Sequence, residues 1–173
     1  MILALDISTS ITGITVLDKN IIILNESVDT KNKKKFPHIN DVALKIKEAI
    51  EDIKFLITEI YIEESLKSFR SGFSSAQTIS QLSKINGIIT YICEQHFKIR
   101  PEHVSAATAR KVFDIKKTKD KTAKEMALEY LKENRKDFIV GITKTGKTSP
   151  ETYDRADSLI IALASEKFKV EKD

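Results

Sequence analysis

The sequence predicts an α/β fold, with one mixed sheet that starts with three antiparallel strands and is flanked by helices. The first observation is that three short runs, rich in apolar and β-branched residues, follow one another closely at the start of the chain. The second is that short apolar runs later alternate with longer segments in which apolar residues recur at a helical spacing. Residues 1–173 are expected to form a single domain, because this length suits one sizeable core.

The first three strands are predicted over residues 2–7, 11–17 and 21–24. Turn-forming residues separate them, at positions 8–10 and again at 18–20. Because such short connections join antiparallel neighbours, we expect these strands to form a meander.

Further strands are predicted over residues 59–63 and, very briefly, around Val104. Helices are predicted from residue 40 or 41 to about 52, from 75 to 96, from 105 to 112, from 122 to 131 and from 153 to 168. Ser105 is expected to cap one of these helices. Residues 136–151 are predicted to form a loop, because they include two glycines and a proline.

The charge of the chain permits nucleic-acid binding without requiring it. The net charge is +4 and the pI is about 9.0. Residues 98–124 contain nine lysines and arginines against three acids, and a second lysine cluster lies at 31–35. A solvated surface explains either cluster equally well.

Several classes of protein are excluded at this stage. No apolar run approaches the roughly 18 residues of a membrane span, and the start lacks the basic segment of a signal peptide. The single cysteine, Cys93, cannot form an intrachain disulfide. We therefore expect a cytoplasmic protein with no membrane partner. No glycine-rich phosphate loop of the GxGxxG or GxxxxGK[ST] type is present, which argues against a nucleotide-binding loop.

Four acidic residues occupy positions where the pattern does not require them. Asp6 and Glu63 each end an apolar strand, and Asp154 and Asp157 lie three residues apart on one face of the last predicted helix, in its first turn. Each has an ordinary interpretation, as a turn residue, a solvated strand end, or an acid that favours the helix dipole.

Taken together, these acids predict a metal site. If the two strands are neighbours and the helix crosses their ends, four carboxylates converge, which is costly unless cations neutralise them. Mg²⁺, for which Mn²⁺ commonly substitutes, prefers such oxygen ligands. Two of these ions about 3.5–4 Å apart can activate water and stabilise the leaving oxygen of a phosphodiester. Because adjacent strand residues face opposite ways, only one of Glu63 and Glu64 is expected to reach the site.

Four motifs resemble those of the RuvC-type Holliday junction resolvases, including divergent phage versions. Residues 5–13 (LDISTSITG) resemble the first strand and turn of that family, and residues 62–64 (IEE) resemble its Ile-Glu-Gln. Residues 82–87 (LSKING) are similar to part of the following helix, and residues 153–162 (YDRADSLIIA) are similar to the closing Asp-x-x-Asp motif. The motifs occur in the same order and at similar spacings along nearly the whole chain.

This resemblance implies an RNase H-like fold, a homodimer, branched DNA as the partner, and Mg²⁺-assisted paired nicking of a four-way junction. It implies that Asp6, Glu63, Asp154 and Asp157 are the catalytic and metal-binding residues. The chain departs from the family at Glu64, where Gln is common, and in the longer stretch 136–152.

The loop at residues 65–75 (SLKSFRSGFSS) is a candidate for DNA contact. Phe69 and Phe73 stand there among polar residues beside Arg70, and an exposed aromatic side chain can stack on a base. Packing within the domain or against a second subunit is an equal alternative. The resemblance favours Phe69, and it matches Arg110 and Lys121 to basic positions that bind DNA in the family.

Three other functions remain as alternatives. A protein of this fold could bind branched DNA without cleaving it, although acids at all four positions argue against this. A YqgF-type RNA-processing nuclease would use the same acids on RNA. An actin-like or sugar-kinase-like phosphate site also begins with a strand-end Asp, but it needs a second lobe for which 173 residues are too few.

Overall fold

The computed structural model describes residues 1–29, 39–53, 55–65 and 76–170, and it includes the side chains of all of these except 169 and 170. The lysine cluster at 31–35 and the predicted DNA contacts Phe69, Arg70 and Phe73 lie outside the described residues. Within the described ranges, no helix combines the length and apolar character that crossing a membrane would require.

A five-stranded mixed sheet forms the centre of the fold, as predicted. Its strands are β1 (Ile2–Asp6), β2 (Ile11–Asp18), β3 (Ile21–Asp29), β4 (Glu59–Glu63) and β5 (Glu102–Val104), in the order β3-β2-β1-β4-β5. The first three strands are antiparallel, which confirms the meander, whereas β4 is parallel to β1 and β5 is parallel to β4. Strand β3 extends five residues beyond the predicted end because pairing with β2 continues through its polar half.

Five helices accompany this sheet in the described residues. They are α1 (Ile39–Glu51), α2 (Ala76–Phe97), α3 (Ala106–Lys111), α4 (Ala123–Asn134) and α5 (Pro150–Val170). Ser105 caps α3 as predicted, since its side chain accepts a hydrogen bond from the backbone N–H of Thr108. Thr122 and Glu125 form a capping box at the start of α4.

The last helix begins at Pro150, three residues earlier than predicted. Proline suits the first helical position because it lacks the N–H that would have no partner there. Asp154 and Asp157 therefore do not lie in the first turn, and the prediction that placed them there is wrong. Since the helix dipole acts mainly within the first turn, it does not account for these two acids.

The core has two halves because β1 is buried on both faces. Ile2 and Ala4 pack on one side with α3, α4 and α5, while Leu3 and Leu5 pack on the other side with α1 and α2. A strand that is covered on both faces needs apolar side chains at every position, which explains the continuous apolar run before Asp6.

Polar contacts and one glycine hold α5 against the sheet. The buried hydroxyls of Thr15 and Ser158 are hydrogen-bonded at 2.8 Å, and the Asn25 amide donates to both Thr15 Oγ1 and the carbonyl of Arg155. A Cβ on Gly13 would lie only 2.1 Å from the carbonyl oxygen of Asp154. A glycine at position 13 thus permits the close approach of the helix segment that bears Asp154 and Asp157.

We expect Gly13→Ala to lower the free energy of unfolding by about 1–3 kcal/mol or more, because the added methyl group forces α5 away from β2. Gly87→Ala is the matched control: it lies within α2 and a Cβ there would meet no described atom within 4 Å. This control should gain about 1 kcal/mol from helix propensity. Urea denaturation of both variants measures the difference, and equal stabilities would contradict the proposed close packing.

Candidate active site

Two of the predicted acids end neighbouring parallel strands. Asp6 is the last residue of β1 and Glu63 is the last of β4, and the register pairs Leu5 with Ile62 just before them. The two carboxyl groups are close enough for Glu63 to raise the pKa of Asp6. Asp6 is only 2% exposed, whereas Glu63 is partly buried.

The other two acids come from α5, which packs across β1 and β2. Asp157 is 3% exposed and Asp154 is partly buried. Asp154 and Asp157 both lie close to the Lys124 ammonium, and so does Asp6, so the three acids share one cation. The structure therefore brings the four predicted acids together at one edge of the sheet.

Lys124, in the first turn of α4, is the residue that sequence reasoning missed. Its Nζ lies 2.9 Å from Asp154 Oδ1, 3.2 Å from Asp157 Oδ2 and 3.7 Å from Asp6 Oδ2. In the sequence it is one of nine basic residues between 98 and 124, and nothing local distinguishes it from the others.

The two predicted basic DNA contacts occupy different environments. Arg110, in α3, is largely buried and donates from Nη2 to Asp157 Oδ1 at 2.6 Å, so it belongs to the acid cluster. Lys121 is exposed and pairs with Glu129 at 2.5 Å, away from that cluster. Asp157 thus presents one carboxylate oxygen to each of two cations, Arg110 and Lys124.

The acids perturb one another's ionisation. Burial is the main cause that raises the pKa of Asp6 well above its ordinary value, and the negative charge of Glu63 raises it further. Burial also raises the pKa of Asp154, although Lys124 acts against this. Burial lowers the pKa of Lys124, but attraction to Asp6, Asp157 and Asp154 outweighs it and raises the pKa overall. Lys124 is therefore a persistent cation.

A cavity of about 210 Å³ opens beside Asp6 and Lys124. Glu63 and Glu64 both line it, together with Ser8 beyond the end of β1 and Asn86 of α2. Glu63 is the glutamate that acts on Asp6, and the expectation that only one of the two joins the acids stays a prediction.

The residues present fit a hard divalent cation in chemistry. Across the described ranges no group of three histidine, cysteine or acidic side chains is already arranged around a common metal position, and Lys124 lies among the acids instead. Two buried oxygens, Asp6 Oδ2 and Asp157 Oδ2, face Lys124 but have no hydrogen-bond partner among the described groups. Carboxylate oxygens of this kind are the ligands that Mg²⁺ and Mn²⁺ prefer.

Comparison with known proteins identifies the fold. No protein-family model matches the sequence, and no curated protein matches it significantly. Thermus thermophilus RuvC in complex with a Holliday junction substrate matches with a TM-score of 0.63 at 9% identity, over 96% of this chain and 94% of that chain. A second Thermus thermophilus RuvC structure matches with a TM-score of 0.56 at 10% identity, over 96% of this chain and 95% of that chain.

A eukaryotic structure agrees with these matches. The yeast mitochondrial Holliday junction resolvase Ydc2 matches with a TM-score of 0.60 at 14% identity, over 98% of this chain and 78% of that chain. At such low identity the likeness concerns the fold. The chain has the RNase H-like fold of the RuvC-type Holliday junction resolvases.

Proposed function

We propose that this protein is a structure-specific DNA endonuclease that cuts Holliday junctions or related branched DNA by metal-assisted phosphodiester hydrolysis. The observation that supports the proposal is the convergence of four acids at one sheet edge, within the fold of junction resolvases. Costly clusters of like charge persist where function requires them.

Each acid has a proposed role. Asp6 would be shared by two Mg²⁺ ions, Glu63 and Asp157 would each hold one, and Asp154 would complete a coordination shell or orient water. When bound, the ions supply Lewis acidity and a water of lowered pKa. Asp6 is affected by both the strand-derived Glu63 and the helix-derived Asp157, which suits a shared ligand.

The two cations organise this cluster. Arg110 donates a hydrogen bond to Oδ1 of Asp157, which leaves Oδ2 to pair with Lys124. Lys124 neutralises the acids in the metal-free protein. Once other cations neutralise them, its ammonium is available to a phosphate oxygen of the substrate. We therefore propose Lys124, rather than Lys121, as the lysine that acts at the site.

The remaining features of the proposal come from the sequence. Phe69, Arg70 and Phe73 would contact unpaired or distorted bases, and Arg110 and Lys121 remain proposed contacts to the phosphate backbone. The protein would act as a cytoplasmic homodimer, a single nuclease domain in each subunit, and Mn²⁺ would substitute for Mg²⁺.

Two alternatives use the same fold. A protein that binds branched DNA without cleaving it has no need for a buried cluster of acids, and a YqgF-like nuclease would act on RNA. The deciding measurement is cleavage of a labelled four-way junction, a linear duplex and a structured RNA, with Mg²⁺, Mn²⁺ or a chelator. Symmetric, metal-dependent nicks in the junction alone support the proposal, whereas binding without cleavage or preference for RNA supports an alternative.

We expect Asp6→Asn to abolish junction cleavage and to leave junction binding within a few fold, because it removes a metal ligand without changing the shape of the site. Asp18→Asn is the control at the opposite end of the sheet, and it should cleave normally. Cleavage and gel-shift assays measure both properties. Near wild-type cleavage by Asp6→Asn would refute its assigned role.

Stability should depend on pH and metal through Asp6. Because the pKa of Asp6 is raised in the fold, the folded state binds more protons than the unfolded state. Stability therefore falls as the pH rises from the ordinary pKa of Asp toward the raised pKa of Asp6. Metal-free Asp6→Asn should lose this dependence and have a higher Tm at neutral pH, by about 2–4 °C for each kcal/mol of repulsion removed. Saturating Mg²⁺ should stabilise the wild type more than the variant. Thermal melts that show identical pH profiles would contradict this.

Lys124→Gln should slow single-turnover cleavage by about 10²-fold or more, because one fixed charge near the reacting phosphate is typically worth that much. Lys121→Gln is the matched control, since its side chain pairs with Glu129, and it should change the rate by only about threefold. Rates measured at saturating junction separate this effect from binding. The reverse order of the two effects would support Lys121 instead.

A further inference from the structure

One peptide group beside the candidate active site is held from both sides. The carbonyl of Glu63 accepts a 2.7 Å hydrogen bond from the Asn86 side-chain amide. The N–H of Glu64, which belongs to the same peptide group, donates to the carbonyl of Val104 at 3.0 Å. This peptide group is the point at which the chain leaves β4, immediately after the glutamate that interacts with Asp6.

Asn86 is in turn oriented by His103. The Asn86 residue is 7% exposed, and its Oδ1 lies 2.9 Å from His103 Nε2. Because the amide nitrogen is committed to the Glu63 carbonyl, Oδ1 can only accept, so His103 Nε2 carries the hydrogen. The flipped amide would place two acceptors against each other at Glu63, which excludes it.

The hydroxyl of Thr90 fits the same assignment of hydrogens. The Thr90 hydroxyl donates to the backbone carbonyl of Asn86, one helical turn earlier, at 2.7 Å. Its oxygen is then free to accept, and it lies 3.1 Å from the same His103 nitrogen. The Nε2–H group thus points between two acceptors on α2, Asn86 Oδ1 and Thr90 Oγ1, and joins the edge strand β5 to that helix.

These hydrogen bonds connect β5, α2 and the end of β4 to one another. Val104 holds the Glu64 N–H, the adjacent His103 holds Asn86, and Asn86 holds the Glu63 carbonyl. We propose that His103 is a positioning residue: acting through Asn86, it fixes the Glu63–Glu64 peptide group and thereby the direction in which the Glu63 carboxylate meets Asp6. The part of this inference that concerns metal affinity rests on the proposed function.

His103 is a suitable residue to substitute because it is exposed. Changing it removes one hydrogen-bond donor without opening a cavity in the core, whereas changing the buried Asn86 threatens folding. Groups that orient metal-binding side chains commonly change metal affinity or activity by about 10–100-fold when they are removed.

The test uses the full chain with His103→Ala, His103→Gln and the control His96→Ala. In His103→Gln the side-chain amide nitrogen can occupy the position of the histidine Nε2 and donate to Asn86 Oδ1 in its place. His96 is an exposed histidine of α2, the helix that contains Asn86. It lies far along that helix from Asn86, and its ring contacts Phe97. Four properties are measured: hydrogen exchange at the Glu64 amide by NMR, the Kd for Mn²⁺ by calorimetry, the rate of single-turnover junction cleavage, and the Kd for the junction.

In His103→Ala we expect Glu64 amide exchange and the Mn²⁺ Kd each to rise about tenfold, with slower cleavage and an unchanged junction Kd. His103→Gln should stay within about twofold of the wild type in every property, and so should His96→Ala. Wild-type exchange and Mn²⁺ affinity in His103→Ala would overturn the inference, as would failure of glutamine to restore them.

Failure of the proposed function gives a different result. If the wild type neither binds Mn²⁺ nor cleaves any branched DNA, the nuclease proposal falls. Glu64 amide exchange then decides the positioning role alone: faster exchange in His103→Ala but not in His103→Gln supports it, and equal exchange in all variants overturns it.

Discussion

The electrostatic cost of gathering carboxylates at one edge of the sheet is the constraint on which the surrounding structure depends. Asp6 and Asp157 are almost fully buried, and charges this close repel strongly in a medium of low polarity. Two cations from separate elements offset this repulsion, Arg110 on α3 and Lys124 on α4. The short helices between β5 and α5 therefore do more than cover the core, because each delivers a positive charge to the acids.

The sheet order makes this convergence possible. Parallel β1 and β4 end at the same edge, which brings Asp6 and Glu63 together from residues far apart in sequence. The absence of a side chain at Gly13 lets α5 approach β2 closely, and buried hydroxyls of Thr15 and Ser158 hold it there. The fold is similar to that of solved structures at only 9–14% identity, as expected when burial pattern and a few close contacts determine the architecture.

The glutamate side of the site is supported by neutral hydrogen bonds. The helix-borne acids are placed by ion pairs, whereas Glu63 stands at the end of a five-residue strand with a short partner, β5. A strand end has few ladder bonds, so side-chain hydrogen bonds from α2 add the restraint that pairing alone does not supply. The two halves of the site thus use different physical means to fix their carboxylates.

The sequence by itself determined the mixed sheet, the meander and most helix bounds, because periodicity, turn residues and caps are local signals. The four acids stood out because they break those patterns, and their role stays a prediction. It misplaced the start of α5, since helical propensity alone does not reveal that Pro150 serves as a first helical residue. It could not distinguish Lys124 from Lys121, three residues earlier, or show that Arg110 faces Asp157. Only the tertiary structure decided these points, because which lysine meets an acid depends on how α4 is turned against α5, a relation between residues distant in the chain.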